Sequence, residues 1–323
     1  MPALEDAIKF YEENYDVLGS WMLRPGEKIM LGDKENRVCR FCGKTTPEVQ
    51  FRKDAHAVSE MLGNKSLFTA YECDTCNGGF GKGIEQDLGN WSKPMRTMAR
   101  IRGKSGVPTL KRGGDTGWRI ECDDARTFKI NDYETDPVTA IDEEKKSISF
   151  KLKRDPYTPV GVMKAFVKMG LTLLPAEELP NFRQALAWIK DKDHSRRFAN
   201  DLPVFYAFQP GPMPNDLIAA IVLRLKDGVT GLPYAFFVLG YGNEVFQFVL
   251  PTEKDKGIDG KRMDLMTFPT PGSPDPLRFP MTGRAVLNLG GTEVIKGETC
   301  PITMGFDAIN WTKPDGTPSA PPS

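Results

Sequence analysis

Residues 39–77 read CRFCGKTTPEVQFRKDAHAVSEMLGNKSLFTAYECDTCN, and this stretch decides the fold of the N-terminal third. It opens and closes on a C-x2-C pair: Cys39 with Cys42, and Cys73 with Cys76. Each pair can sit on a tight turn that aims two sulfurs at one point. Two such knuckles supply four thiolates in a tetrahedral shell, the geometry zinc takes in closed structural sites. Four unrelated buried thiols are a poor alternative, because two identically spaced pairs fall so close together. A thioredoxin-like redox role would want one C-x-x-C beside a βαβ unit, and that pattern is not found here. Cys122 and Cys300 lack a neighbouring partner in the sequence and read as core residues.

Thirty residues separate the two pairs, so something folded must lie between them. The pattern predicts a strand over 49–56, a loop over 59–64 and a strand over 67–71, followed by the second knuckle. The next segment, NGGFGKGIEQDLGNW (77–91), is rich in glycine and reads as a short helix. Each helical glycine costs about 1 kcal/mol against alanine, and metal ligation offsets that cost. The expected unit is a β-hairpin and a helix clamped by one ion.

These residues resemble the HNH family of ββα-metal nucleases over residues 36–91. The carriers are Cys39, Cys42, His56, Asn64, Cys73, Cys76 and Asn77. The DAHAVSE–LGN and CDTCN–FGKGIE blocks resemble a cysteine-rich subtype found in bacterial defence and restriction proteins. The resemblance implies three roles beside the structural Zn²⁺. His56 ends the first strand and acts as general base. Asn64 ties down the loop. Asn77 ligates a catalytic Mg²⁺ or Mn²⁺ from the helix. The implied substrate is double-stranded DNA.

The chemistry is consistent with those roles. A phosphodiester has a poor leaving group and a negative shell that repels hydroxide. A neutral imidazole near pH 7 can take a proton from water. A divalent ion can neutralise the scissile phosphate and steady the leaving oxygen. Asn77 is an oxygen donor and suits a hard ion. Asp54 lies two residues before His56, so on a strand both would share a face, and it is the second candidate ligand. Many family members carry a ligand directly before the base, where this chain has Ala55, and many of the subtype carry proline where it has Ser59. Glu60 or Glu85 are alternative ligands.

A basic stretch follows, with no acid over 88–114. Lys93, Arg96, Arg100, Arg102 and Lys104 are the candidate DNA contacts, with Lys111 and Arg112 beyond them. The competing reading is a solvated face. Trp91 and Trp118 flank the stretch.

Outside this module the periodicity predicts an α+β protein with a mostly antiparallel sheet. Residues 3–23 have apolar positions spaced for one amphipathic helix or two. PVGVMKAFVKMGLTLL (159–174) predicts a strong helix with proline at its start, and FRQALAWIKD (182–191) a second. VFYAF, IAAIVLRLK, YAFFVLGYG and VFQFVL read as strands, with Phe236, Phe237, Phe246 and Phe248 in the core. His194 reads as a surface residue. The expected domains are 1–112, the nuclease module; 113–310, a specificity or sensing domain; and 311–323, a polar, Pro-rich, disordered tail. By analogy with defence nucleases that join an HNH module to a sensor, the second domain binds a nucleotide signal, a modified base or a partner.

The 323-residue chain carries 43 basic and 43 acidic residues, so any nucleic-acid footprint must be local rather than global. It shows no long apolar run for a membrane span. Its start, MPALEDAIKFYEENYDVLG, lacks the pattern of a signal peptide, so a cytoplasmic location is expected. A reducing compartment favours metal ligation over disulfides for paired cysteines. Two alternatives stand beside the endonuclease: a non-catalytic zinc module that binds nucleic acid, and a partner-binding protein whose function lies in its C-terminal part. One module nicking and a homodimer breaking both strands both remain open.

Overall fold

The computed structural model describes residues 4–112, 117–122, 127–131, 137–194, 198, 203–211, 213–258, 265–269, 283–313 and 316–319. Helix α1 (Leu4–Asn14) leads directly into strand β1 (Tyr15–Leu23). Strands β2 (Ile29–Leu31), β3 (Ala55–His56) and β4 (Leu67–Thr69) precede helices α2 (Asp74–Gly81) and α3 (Ile84–Met98). Strands β5 (Leu110–Lys111), β6 (Arg119–Cys122) and β7 (Phe128–Asn131) make one small sheet. Strands β8 (Thr139–Asp142) and β9 (Ser147–Lys153) lead to helices α4 (Pro159–Leu173) and α5 (Arg183–Lys190). Then come β10 (Pro203–Phe208), β11 (Ile218–Leu225), β12 (Ala235–Tyr241), β13 (Glu244–Val249), β14 (Gly283–Asn288), β15 (Thr299–Gly305), β16 (Trp311–Thr312) and β17 (Pro318–Ser319). The protein is α+β, and its sheets are mostly antiparallel. No helix among the described residues is long and apolar enough to cross a membrane.

The largest sheet has six strands in the order β1-β11-β12-β13-β10-β14. Both of its faces are covered, which explains the nearly continuous apolar run of β12. Phe236 and Val238 face α1, against Tyr11 and Tyr15. Phe237 and Leu239 face α4. Phe166 of α4 stacks near Phe246 and Phe248, with ring centres 5.1 and 5.5 Å away.

Three expectations are corrected. Residues 15–23 are not helical but form β1, paired with β11 from Tyr15↔Leu225 to Leu23↔Ile218. A bulge between Val17 and Gly19 interrupts the alternation and lends the apolar positions a helical spacing. Residues 49–54 are not strand. Asp74 accepts hydrogen bonds from the backbone N–H of Arg52 and Lys53 (3.1 and 3.2 Å), so these amides turn to a side chain instead of a neighbouring strand. His194, expected at the surface, is 23% exposed and stands 4.0 Å from Asp87.

The expected boundary after residue 112 adjoins residues 113–116, which lie outside the described residues. Packing continues across that position. Strand β1 belongs to the C-terminal sheet, and one core cluster holds Cys39, Leu88, Phe166 and Phe248 together. In the tail, residues 314, 315 and 320–323 lie outside the described set. Among the described residues there, Trp311 pairs with Ser319 and Thr312 with Pro318.

Helix α4 is the centre of the molecule: all fifteen of its residues are buried. Its termini are satisfied by the N-terminal module. The Asp87 carboxylate accepts from the N–H of the capping residue Thr158 at 2.8 Å, a negative group at the positive end of the helix. The Arg40 guanidinium donates to the carbonyls of Leu171, Thr172 and Leu174 at 2.6–2.8 Å, a positive group at the negative end. Gly161 makes the first contact possible, because a Cβ there would lie 2.1 Å from Asp87 Oδ2. Gly161→Ala should therefore cost about 1–3 kcal/mol from overpacking, although alanine is the better helix former by about 1 kcal/mol. Urea denaturation measures this, and an unchanged or higher midpoint would contradict the close approach.

Candidate functional site

The first knuckle is a tight turn. The Gly43 N–H donates to Cys39 O at 2.7 Å, with Gly43 at φ 72°. In the second knuckle, Cys73 caps α2 and its sulfur accepts from the N–H of Cys76 at 3.5 Å. The Cys73 N–H in turn points at Cys39 Sγ, also at 3.5 Å. The four sulfurs lie within 4.8 Å of one another, and Cys42 Sγ is 3.9 Å from Cys73 Sγ. Sulfurs on a tetrahedral zinc would be about 3.8 Å apart, given Zn–S bonds of about 2.3 Å. The set therefore fits one such ion. A hydrogen bond from Cys76 and the N–H groups of Cys73, Cys42 and Phe41 lower the Cys39 thiol against the opposing effect of burial.

The hairpin sits against this cluster. Strand β3 pairs antiparallel with β4, setting Ala55 opposite Thr69 and His56 opposite Phe68. A third strand, β2, runs parallel on the other side of β4, a pairing outside the sequence reading. Asn64 is 1% exposed and uses its whole amide: Nδ2 donates to Val58 O and Leu67 O, and Oδ1 accepts from the N–H of Ser66 and Leu67, all at 2.7–3.1 Å. Asn64 thus closes the loop between the strands, and its burial keeps it from touching a substrate.

The His56 imidazole is half-buried, tilted against the Phe68 ring with centres 4.6 Å apart. Burial pulls its pKa below the ordinary imidazole value. The charges that reach it are Glu60, Lys65, Lys168 and Glu85, the two acids opposing the shift and the two lysines adding to it. Glu60 is 2.8 Å from Lys65. Lys168 projects from α4 into this module, with its Nζ 2.8 Å from Glu72 and 3.3 Å from Glu85. No sequence signal marks Lys168, since a lysine in an apolar helix reads as its solvent face.

Asn77 stands in the first turn of α2, directly after the knuckle and partly exposed. Asp54 is not brought to His56 by a shared strand face, because β3 begins only at Ala55. Its carboxylate lies 3.6 Å from Lys34 and 3.9 Å from Arg37. Among the described residues, the four cysteines form the one cluster of three or more His, Cys, Asp or Glu ligand atoms.

The basic stretch divides. Arg96 is 7% exposed, and its guanidinium donates to Ser92 Oγ, Met61 O and Gly89 O. It serves the inside of the fold, not a phosphate. Lys93 pairs with Asp155 at 2.8 Å, and Arg100 lies over the Phe128 ring at 5.9 Å. Arg102 and Lys104 are exposed on a tight turn bridged between Gly103 and Gly106. Lys65 ties that turn to the Glu60 carboxylate by donating to Gly103 O. Trp118 is buried in a small second core beside Ile120 and Leu110.

The family model described as HNH endonuclease matches residues 39–92. The similarity to HNH endonucleases is confined to this segment. The matched span begins at the first metal-cluster cysteine and ends inside α3, so it covers the knuckles, the hairpin, His56 and Asn77. The match supports nuclease-type function in general and implies a nucleic acid as the class of substrate. No curated protein and no solved structure matched the chain.

Asn64→Ala should cost about 1–3 kcal/mol, because it leaves buried backbone groups of Val58 and Leu67 without partners. Hydrogen exchange should quicken at the Leu67 amide. Unchanged protection there would remove Asn64 from its place as the loop clamp.

Proposed function

We propose that the chain is a metal-dependent endonuclease that hydrolyses DNA phosphodiester bonds, with His56 as the general base. The observation that carries the reading is the half-buried imidazole of His56, at the end of the HNH hairpin, whose surroundings favour its neutral form. A neutral imidazole accepts the proton of a water molecule as that water attacks phosphorus. The P–O3′ bond breaks, leaving a 5′-phosphate and a 3′-oxygen that takes up a proton. Phe68 supports the ring from one side. Asn64 keeps the loop after β3 in place, and so fixes where the imidazole points.

Asn77, with Glu85 or Glu60, would hold a hard divalent ion such as Mg²⁺ or Mn²⁺, which keeps several waters of its own. When bound, that ion supplies neutralisation of the scissile phosphate and stabilisation of the leaving oxygen. Asp54 is the weaker ligand, because it lies before β3 and shares no strand face with His56. The four cysteines hold Zn²⁺ as a structural ion. Arg102 and Lys104 are exposed on their turn and are the residues best placed to follow a phosphate backbone.

Plasmid cleavage by the full chain in Mg²⁺ or Mn²⁺ tests this. Wild type should nick or linearise the plasmid, EDTA should stop it, and His56→Ala should lose about 100-fold or more. DNA binding without cleavage in wild type would favour a non-catalytic zinc module instead. Elemental analysis of the folded protein should find about one zinc per chain, lost together with the fold of the HNH segment in Cys73→Ser. Folded protein free of zinc would contradict the four-cysteine assignment.

A further inference from the structure

The His56 site has a border outside the HNH segment. Strand β2 lies before the matched residues and adds parallel to β4, with the Ile29 N–H donating to Ser66 O at 2.7 Å. That pairing fixes the position of the residue just before it, Lys28. The Lys28 ammonium stands over the Phe68 ring, 5.0 Å from the ring centre. The same ring lies 4.6 Å from the His56 imidazole, centre to centre. Lys28 Nζ is therefore within about 10 Å of the imidazole, which is about three nucleotide steps at about 3.4 Å of rise per step.

Lys28 differs from the other cations around His56. Lys65 is 2.8 Å from Glu60, and Lys168 is held by Glu72 and Glu85. Lys28 is exposed, and among the described residues no carboxylate lies within ion-pair distance of it. An aromatic face attracts an ammonium through its quadrupole but carries no net charge. It steadies Lys28 without neutralising it, and leaves N–H donors on the ammonium for an anion. Phe68 is itself buried and stands on β4 opposite His56, so the platform is fixed to the strand that pairs with the histidine.

A second border carries charge as well. Lys65 donates to Gly103 O at 3.1 Å and to Glu60 at 2.8 Å, which draws the turn bearing Arg102 and Lys104 to the loop between β3 and β4. Cations thus stand at two places around His56: Lys28 at the start of β2, and that turn beside the loop. A small anion can meet only one of them. A polyanion with evenly spaced charges can meet both.

We infer that Lys28 is a substrate-binding residue that contacts a phosphate of the DNA strand cut at His56, within about three nucleotides of the scissile bond. Where the contact falls rests on the reading of His56 as general base; the contact itself is read by binding alone. Lys28 acts on the DNA and not on the imidazole. Burial sets the His56 shift, with Glu60, Lys65, Lys168 and Glu85 as the charges that modify it, and solvent screens an exposed ammonium. Loss of Lys28 therefore weakens binding and leaves the pH profile of cleavage in place.

Fluorescence anisotropy of a labelled DNA duplex tests this, using the full chain with His56→Ala so that the duplex stays intact. Adding Lys28→Met should weaken binding roughly fivefold to tenfold at about 0.1 M salt, and should make the slope of log K against log salt shallower by about 0.9, the counterions of one phosphate. Lys9→Met is the control: it removes one charge from α1, on the opposite face of the large sheet from α4, and should leave the slope unchanged. Melting temperatures should agree among the three proteins, since both lysines are exposed. In the cleaving chain, Lys28→Met should raise KM with the pH dependence of kcat unchanged. Equal affinity and slope with and without Lys28, an equal loss in Lys9→Met, or no salt-dependent binding of the duplex at all overturns the proposal. A Lys28-dependent slope in a chain that does not cleave supports the phosphate contact and overturns the His56 reading instead.

Discussion

The structure depends on a helix that has no solvent face. Every residue of α4 is buried, including Lys164 and Lys168. An ammonium group cannot be carried into a protein interior unpaired. Lys164 reaches Asp191 O at 2.7 Å and the face of Trp188. Lys168 reaches the carboxylates of Glu72 and Glu85, with Phe41 and Phe80 around it. Burial pulls the Lys168 ammonium pKa down, and the two acids more than reverse this. The same helix has two exposed dipole ends to satisfy, and Asp87 and Arg40 do so.

The partners of Lys168 and of the two helix ends, Glu72, Glu85, Asp87 and Arg40, come from the HNH segment. Arg40 lies within the first knuckle, and Glu72 immediately precedes the second. Glu85 and Asp87 stand in the first turn of α3. These charges that hold α4 therefore stand on the knuckles and the first turn of α3. His56 sits within the field of Lys168 and Glu85, so the proposed general base and the buried helix share one electrostatic environment. The far side of α4 closes on the large sheet, where Gly170 permits contact: a Cβ there would lie 2.5 Å from Leu250.

Much of this was legible in the residues. The spaced cysteines, His56, Asn64 and Asn77 announced the module, because metal ligation and catalysis demand particular residue types at particular intervals. Helix α4 and the strands of the large sheet were legible through proline placement and apolar runs. Other features were hidden, for identifiable reasons. A bulge disguised β1 as helix. Arg96 looks like a phosphate contact in one dimension, and only folding shows its donors turned onto Met61 and Gly89. Asp54 lost its shared face with His56 because the amides of Arg52 and Lys53 bind Asp74. Lys168 carries no motif at all. A lone charge in an apolar segment announces burial only when its partners, distant in sequence, arrive.

If α4 joins the HNH segment and the sheet through these shared charges, the two cannot unfold separately. Differential scanning calorimetry of the full chain tests this most directly. A single transition, lowered as a whole by metal chelation, is the expected result. Two separate transitions, with only one sensitive to chelation, would contradict it.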